Sequence, residues 1–126
     1  MRAAIVGNRK DTQCGQVSVA LAEAGVLTDV FRPFRDGPLP GTVYHGIVVL
    51  GGVKDAQDDA GSTYGPALVP ILRDCRADGL PGPGICLGAQ ILARAHRAEN
   101  RIGTAPEPGW HPVALTEAGR GWVARI

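Results

Sequence analysis

A cysteine with a glycine two positions before it and another two positions after it is the clearest chemical signal in this chain. Cys86 lies between Gly84 and Gly88. This spacing is typical of a nucleophile elbow, a tight turn from strand to helix that holds the nucleophile in a strained backbone conformation. Glycine on either side tolerates the close approach of neighbouring chain. We therefore predict that Cys86 is a covalent nucleophile.

The predicted turn also places the sulfur of Cys86 at the N-terminus of a helix. Unpaired backbone N–H groups and the helix dipole favour the thiolate over the thiol at that position. The other interpretation is a buried structural cysteine that follows a strand, and the two flanking glycines favour the nucleophile.

The segments that would position Cys86 alternate between strand and helix patterns. Strand patterns cover Arg2–Gly7, Val26–Arg32, Gly46–Leu50, the residues up to Ile85, and Val113–Thr116, and helix patterns cover Gln16–Ala24, Pro66–Ala77 and Leu87–Arg97. The alternation predicts an α/β fold in which a doubly wound, mostly parallel sheet forms the middle of three layers. Gly25 is a predicted helix C-cap, Pro33–Thr42 a loop, and Glu117–Gly119 a polar turn.

Two glycines follow the predicted strand Gly46–Leu50 directly. Gly51 and Gly52 therefore fall at the carboxyl end of a strand, as Cys86 does, and ligands of such sheets bind outside these ends. We expect the two glycines and Cys86 to share one crevice. An acidic loop, Asp55–Asp59, comes next; it lacks the glycine and terminal glutamate of a calcium loop, so we predict a solvated loop and no metal.

The composition of the chain argues against several classes of function. The chain has 126 residues and a formal net charge of +1, which fits a single domain and argues against nucleic acid or a membrane surface as partner. Its 3 cysteines are odd in number and lack the spacing of a metal site. No signal peptide or membrane span is predicted, so we expect a cytoplasmic protein.

Four segments, in order, resemble one known family. They are Gly46–Gly52, the acidic loop Asp55–Asp59, the elbow Gly84–Ala93 with its trailing Gln90, and Gly109–Gly119. Together they resemble the class I glutamine amidotransferases, and are similar to the glutaminase domain of GMP synthase. The resemblance implies a flavodoxin-like sheet of that family, in a single domain over residues 1–126 that lacks the C-terminal part.

The resemblance also implies a substrate, a mechanism and site residues. Cys86 would attack the side-chain amide of glutamine, release ammonia, and pass through a thioester that water hydrolyses to glutamate. The backbone N–H groups of Leu87, Gly51 and Gly52 would form the oxyanion hole, and Gln90 and Gly88 would bind substrate. No cofactor is implied. The implied partners are a synthetase that uses the ammonia, or a second copy of the chain.

Three departures from the family pattern affect the expected activity. The family places a catalytic histidine and an acid well downstream of the elbow, and none of the three histidines present, His45, His96 and His111, matches that position. Gly82 and Pro83 replace an apolar pair before the elbow, so the strand there is predicted to be weakened or shortened. Pro108 precedes Gly109, where the family has an apolar residue.

These departures leave three hypotheses open. The first is an active or impaired glutaminase that depends on Cys86. The second is a non-catalytic remnant or scaffold of the same fold, with exposed apolar surface where the sheet is incomplete. The third is a redox or electrophile sensor that uses Cys86 without a base.

Overall fold

The computed structural model describes residues 1–37, 39, 44–61, 64–101 and 109–123. The strands of this part are β1 (Arg2–Val6), β2 (Leu27–Phe31) and β3 (Ile47–Val49). The helices are α1 (Gly15–Glu23), α2 (Pro33–Asp36), α3 (Gly65–Ala77), α4 (Leu87–Ala95) and α5 (Glu117–Val123). No helix among these residues has the length and apolar character needed to cross a bilayer.

The three strands form a parallel sheet in the order β2-β1-β3. Ile5 pairs with Val30 on one side and with Val48 on the other, so β1 is the central strand. The run Ala3–Val6 is buried, as expected for a parallel strand covered on both faces. The predicted α/β fold with a mostly parallel sheet is therefore confirmed.

Helices cover the two faces of the sheet and complete three layers. Side chains of α3 and α4, including Leu72 and Ile91, pack with Val6 and Val49 on one face. On the other face α1 contributes Val17 and Leu21, which pack against the cluster of Ile5, Val48 and Leu50. Burial of these aliphatic side chains, at about 25 cal/mol per Å² of apolar surface, is the main favourable term that holds the layers together.

Residues 81–85 run beside β3 as a partial fourth strand. Ile47 N–H donates to the carbonyl of Pro81 at 3.0 Å, Val49 N–H donates to Pro83 at 3.0 Å, and Ile85 N–H donates to Val49 at 2.9 Å. A single parallel bridge, between Val49 and Gly84, meets the criterion for strand pairing.

The prolines explain why this fourth strand is incomplete. In a parallel ladder the N–H and C=O groups of one residue point toward the same neighbouring strand. Because Pro83 accepts a hydrogen bond from β3, its missing N–H is one that would also have faced β3. The predicted weakening of the strand before the elbow is therefore confirmed.

Glycine ends the first helix as the sequence predicted. Gly25 has a φ of 69°, and Val26 N–H reaches back to the carbonyl of Leu21 at 2.9 Å. This bond and that of Gly25 N–H to Ala22 satisfy carbonyls at the helix end, which is the Schellman arrangement. The turn delivers the chain into β2 beside β1.

The secondary structure predicted for three segments is wrong. Val113–Thr116 is not a strand: the segment is exposed and pairs with no strand of the described sheet. Glu117–Gly119 is the first part of α5 rather than a turn. The predicted loop Pro33–Thr42 contains the short helix α2, which Pro33 begins; residues 38 and 40–42 of that loop lie outside the described residues.

Candidate active site around Cys86

Cys86 occupies a tight turn between the partial fourth strand and α4. Its backbone has φ 54° and ψ −116°, a combination that an L-residue adopts only under strain. Its side chain is exposed, and it immediately precedes Leu87, the first residue of α4. The strain, the exposure and the helix N-terminus together are the geometry that a nucleophile elbow needs.

The flanking glycines are required by space. A Cβ at Gly84 would lie 2.5 Å from the backbone of Gly88, and a Cβ at Gly88 would run into the carbonyl oxygen of Val49. Neither obstacle is a flexible side chain that could turn aside. The two glycines therefore allow the start of α4 to sit directly on the turn and on β3, which fixes where Cys86 emerges.

The Gly51–Gly52 turn lies against the elbow, as predicted. A Cβ built on Gly51 would meet Cβ of Cys86 at 3.3 Å and its Sγ at 3.7 Å. A Cβ built on Gly52 would meet Cδ2 of Leu87 at 2.8 Å. The structure thus brings Gly51, Gly52, Cys86 and Leu87 together at one edge of the sheet.

Backbone donors at this edge are open. Of the first four N–H groups of α4, three donate to the carbonyls of Ile85 and Cys86, whereas Leu87 N–H has no acceptor among the residues that the structure describes. The N–H groups of Gly51 and Gly52 likewise have none in that part of the chain. Open N–H groups beside a thiol are suited to stabilising negative charge on an oxygen bound there.

A cleft of about 390 Å³ opens next to this edge. It is lined by Arg9, Asp11, Thr12, Gln13, Cys14, Val17, Leu50, Gly51, Gly52 and Ile85. Gly51 and Ile85 line the cleft and adjoin Cys86, which is not itself among the lining residues. The volume is sufficient for a ligand the size of an amino acid.

Gln90 and Gly88 lie in the first turn of α4, and their surroundings differ. Gly88 is buried against β3. Gln90 is exposed, its backbone N–H donates to the carbonyl of Cys86 at 3.2 Å, and its own carbonyl accepts from Asn100 at 2.9 Å. The side chain of Gln90 does not line the described cleft.

Two of the three histidines are held away from Cys86. Nδ1 of His45 accepts the N–H of Arg2 at 3.2 Å, at the opposite end of the parallel strands from Cys86. His96 caps the far end of α4, which has 9 residues and so extends about 13 Å. His111 is exposed in the segment after residues 102–108, which the structure does not describe.

The acidic loop is tied to the helix that follows Cys86. Arg94 of α4 donates to both carboxylate oxygens of Asp59, at 2.6 and 2.8 Å, and to the carbonyl of Ala56 at 2.8 Å. The hydrogen bond to Arg94 holds the pKa of Asp59 below its usual value. Within the described residues, no group of three or more His, Cys, Asp or Glu could hold a metal ion.

The other cysteines differ from Cys86 in their surroundings. All three are free thiols in the structure. Cys75 is partly buried on α3, and burial, with Asp78 and Asp74 adding to it, raises the pKa of its thiol. Cys14 is partly buried and lines the cleft. Cys86 is therefore the thiol that solvent reaches most freely.

Sequence reasoning missed one residue of this site, Asn8. Asn8 follows β1 and is only 4% exposed, and its amide donates to the carbonyl of Leu50 at 2.6 Å. The sequence indicated a strand pattern up to Gly7 and no role for Asn8. A polar residue directly after a buried strand, at the edge where the other strands end, is the signal that could have found it.

Comparisons with known proteins agree with this geometry. The model of the family described as glutamine amidotransferase class-I matches residues 16–117. A glutamine amidotransferase from Methylobacillus flagellatus is 31% identical, with a TM-score of 0.68 over 75% of this chain and 38% of its own. No curated protein matches the chain significantly.

Two further solved structures share the fold at lower identity. A glutamine amidotransferase from Thermotoga maritima is 21% identical, with a TM-score of 0.68 over 75% of this chain and 42% of its own. The protein SMU.1228c is 20% identical, with a TM-score of 0.68 over 76% of this chain and 43% of its own. The chain therefore spans about two fifths of the length of these structures.

Proposed function

Since the chain belongs to the class I glutamine amidotransferase family, we propose that it cleaves the side-chain amide of glutamine through a thioester on Cys86. The observation that carries this proposal is the elbow itself: Cys86 is exposed, has a positive φ, and lies at the N-terminus of α4 against Gly51. A strained conformation of this kind persists where the surrounding structure enforces it, and such residues concentrate at functional sites.

The acylation step uses the residues at the edge of the sheet. Sγ of Cys86 attacks the amide carbon of the glutamine side chain, the carbon–nitrogen bond breaks, and ammonia leaves with the proton of the thiol. The oxygen under attack becomes negative and is stabilised by the N–H group of Leu87 and by those of the Gly51–Gly52 turn. Water then hydrolyses the thioester, which releases glutamate and restores the thiol.

Gly88 and Gln90 shape and bind the substrate end of the site. Gly88 permits the start of α4 to approach β3, which sets the position of Cys86 beside Gly51. Gln90 contacts the amino-acid end of glutamine with its exposed side chain.

We expect the rate of this reaction to be low, because neither His45 nor His96 supplies a base to the thiol. His45 and His96 lie too far from Cys86 to transfer a proton. A general base typically contributes about 100-fold to 10,000-fold to a rate. The chain therefore reacts slowly by itself, and a partner, either a synthetase that consumes the ammonia or a second copy of the chain, completes the site. The reducing cytoplasm, the proposed compartment, keeps Cys86 as a free thiol.

The test is glutamine-dependent release of ammonia by the purified chain, compared with Cys86→Ala. Cys75→Ala is the matched control, because Cys75 is a partly buried thiol on α3 outside the cleft. We expect slow release by the wild type and by Cys75→Ala, and none by Cys86→Ala. Release that survives Cys86→Ala would overturn the mechanism, and no release by the wild type would overturn the proposed activity.

A second candidate function is a thiol that reacts with electrophiles without turnover. The exposure of Cys86 favours it. Reaction of Cys86 with a simple alkylating agent, without any glutamine-dependent release of ammonia, would support this candidate. If Cys86 were inert toward the alkylating agent as well, the non-catalytic scaffold would be the alternative.

A further inference from the structure

Asn8 is a buried polar side chain next to the predicted oxyanion hole, and the mechanism above does not use it. We propose that Asn8 is a positioning residue that fixes the orientation of the Gly51–Gly52 turn opposite Cys86. The expected effect on the reaction rests on the proposed function. The expected effect on the orientation of the turn rests on its geometry alone.

The hydrogen bond from Asn8 determines where one backbone donor points. Nδ2 of Asn8 donates to the carbonyl of Leu50 at 2.6 Å. The peptide unit that joins Leu50 to Gly51 is planar and trans, so the N–H of Gly51 points opposite to that carbonyl. By holding the carbonyl toward itself, Asn8 directs the N–H of Gly51 to the other side of the turn, where the described residues offer it no acceptor.

Packing restrains the next residue from two sides. A Cβ built on Gly52 would lie 2.9 Å from Cβ of Asn8 and 2.8 Å from Cδ2 of Leu87. Gly52 is therefore held between Asn8 and Leu87, the first residue of α4. Because Leu87 is 2% exposed and Asn8 is 4% exposed, neither residue is free to move.

The second polar atom of Asn8 shows that this position is not optimised for stability. Oδ1 of Asn8 is buried and has no hydrogen-bond partner among the described residues. A buried acceptor without a partner is destabilising, and each such atom in a folded protein calls for an explanation. An amide that orients the turn through Nδ2, at the cost of an unpaired Oδ1, provides one.

The test separates orientation of the turn from stability of the fold. Asn8→Leu keeps the approximate size of the side chain and has no hydrogen-bond donor, and Asn8→Ala removes the polar atoms together with most of the side chain. Leu72→Val is the control, because it loosens the core on α3 without contact to the turn. For each protein, the rate of ammonia release from glutamine is divided by the rate of Cys86 alkylation by iodoacetamide, a reaction that forms no oxyanion.

We expect this ratio to fall about tenfold to a hundredfold in both Asn8 variants, less than the 100-fold to 1,000-fold cost of removing an oxyanion donor outright. The ratio should stay at the wild-type value in Leu72→Val. An unchanged ratio in folded Asn8→Leu would overturn the inference, as would an equal fall in Leu72→Val.

A measurement without substrate keeps the inference testable if the wild type releases no ammonia and the proposed function fails. Backbone order parameters from ¹⁵N relaxation should be about 0.85 for Gly51 and Gly52 in the wild type, and below about 0.6 in the Asn8 variants. Low order parameters in the wild type itself would overturn the inference, whether or not either variant folds.

Discussion

The elbow and the segment Gly109–Thr116 both contain glycine and apolar residues, but they differ in how far their apolar side chains are buried. At the elbow, Leu87 and Ile91 are buried, and the glycines touch backbone atoms of other elements. In Gly109–Thr116, Trp110 is 102% exposed and Val113 is 96% exposed. The elbow is packed against β3, and the other segment is exposed.

The difference shows what kind of sequence pattern determines a structure by itself. The elbow is specified by local requirements, namely a turn, a helix start and a close approach that only glycine permits. A strand is specified by its neighbour, because its backbone groups must pair with another strand. The apolar residues near Val113 favour a strand, but within the described residues no strand pairs with them.

The largest expected effect comes from adding one methyl group to the elbow. Gly88→Ala would place a Cβ against the carbonyl oxygen of Val49, so β3 or α4 must shift. Overpacking against backbone of this kind costs about 3 kcal/mol of the free energy of unfolding, and this loss exceeds the gain from alanine as the better helix former. Urea denaturation measures the cost.

Gly82→Ala is the matched control for this change. Its Cβ would meet the nearest atom, Cγ2 of Ile47, at 3.6 Å, which is ordinary contact. We expect it to change the free energy of unfolding by less than about 0.5 kcal/mol. If both variants were equally stable, close packing would not be what distinguishes the elbow.

An intermediate effect comes from the strained backbone of Cys86. Cys86→Gly and Cys86→Ala both remove the sulfur, but only alanine keeps a Cβ at φ 54°. The strain of such a residue is of order 1–3 kcal/mol, and the greater freedom of glycine in the unfolded chain offsets about 0.4–1 kcal/mol of it. We therefore expect Cys86→Gly to be more stable than Cys86→Ala by about 1 kcal/mol in urea denaturation.

The same pair of substitutions at Cys75 should give the opposite order. Cys75 lies inside α3, where glycine is about 1 kcal/mol less favourable than alanine. A result in which alanine is the more stable residue at both positions would show that Cys86 carries no backbone strain.

The sequence predicted those parts of the fold whose signals are local. The runs around Ile5 and Val48 are continuous and apolar, and both became buried parallel strands. Pro83 predicted a weakened fourth strand, since a proline lacks the N–H that the ladder needs at that point. The glycine spacing around Cys86 predicted the elbow, and the structure shows the close contacts that require those glycines.

The parts that the sequence did not predict depend on contacts between distant residues. Asn8 is an unremarkable turn residue until β3 places the carbonyl of Leu50 within 2.6 Å of it. Asp59 is exposed, as expected of a solvated loop, but its pairing with Arg94 was not predicted and arises where the loop after β3 meets α4. Neither contact has a periodicity or a spacing that a single sequence displays.

The smallest effect on stability is expected for Trp110, in the exposed segment Gly109–Thr116. Trp110→Ser should change the free energy of unfolding by less than about 0.5 kcal/mol, because the indole ring is fully exposed and loses no packing. Leu72→Ala, a similarly apolar change in the core, should cost about 2–5 kcal/mol. Urea denaturation of the two variants beside the wild type checks both values. A loss of more than about 1 kcal/mol in Trp110→Ser would mean that Gly109–Thr116 packs against the fold in solution. Its apolar residues would then be part of the core, and the contrast with the elbow would disappear.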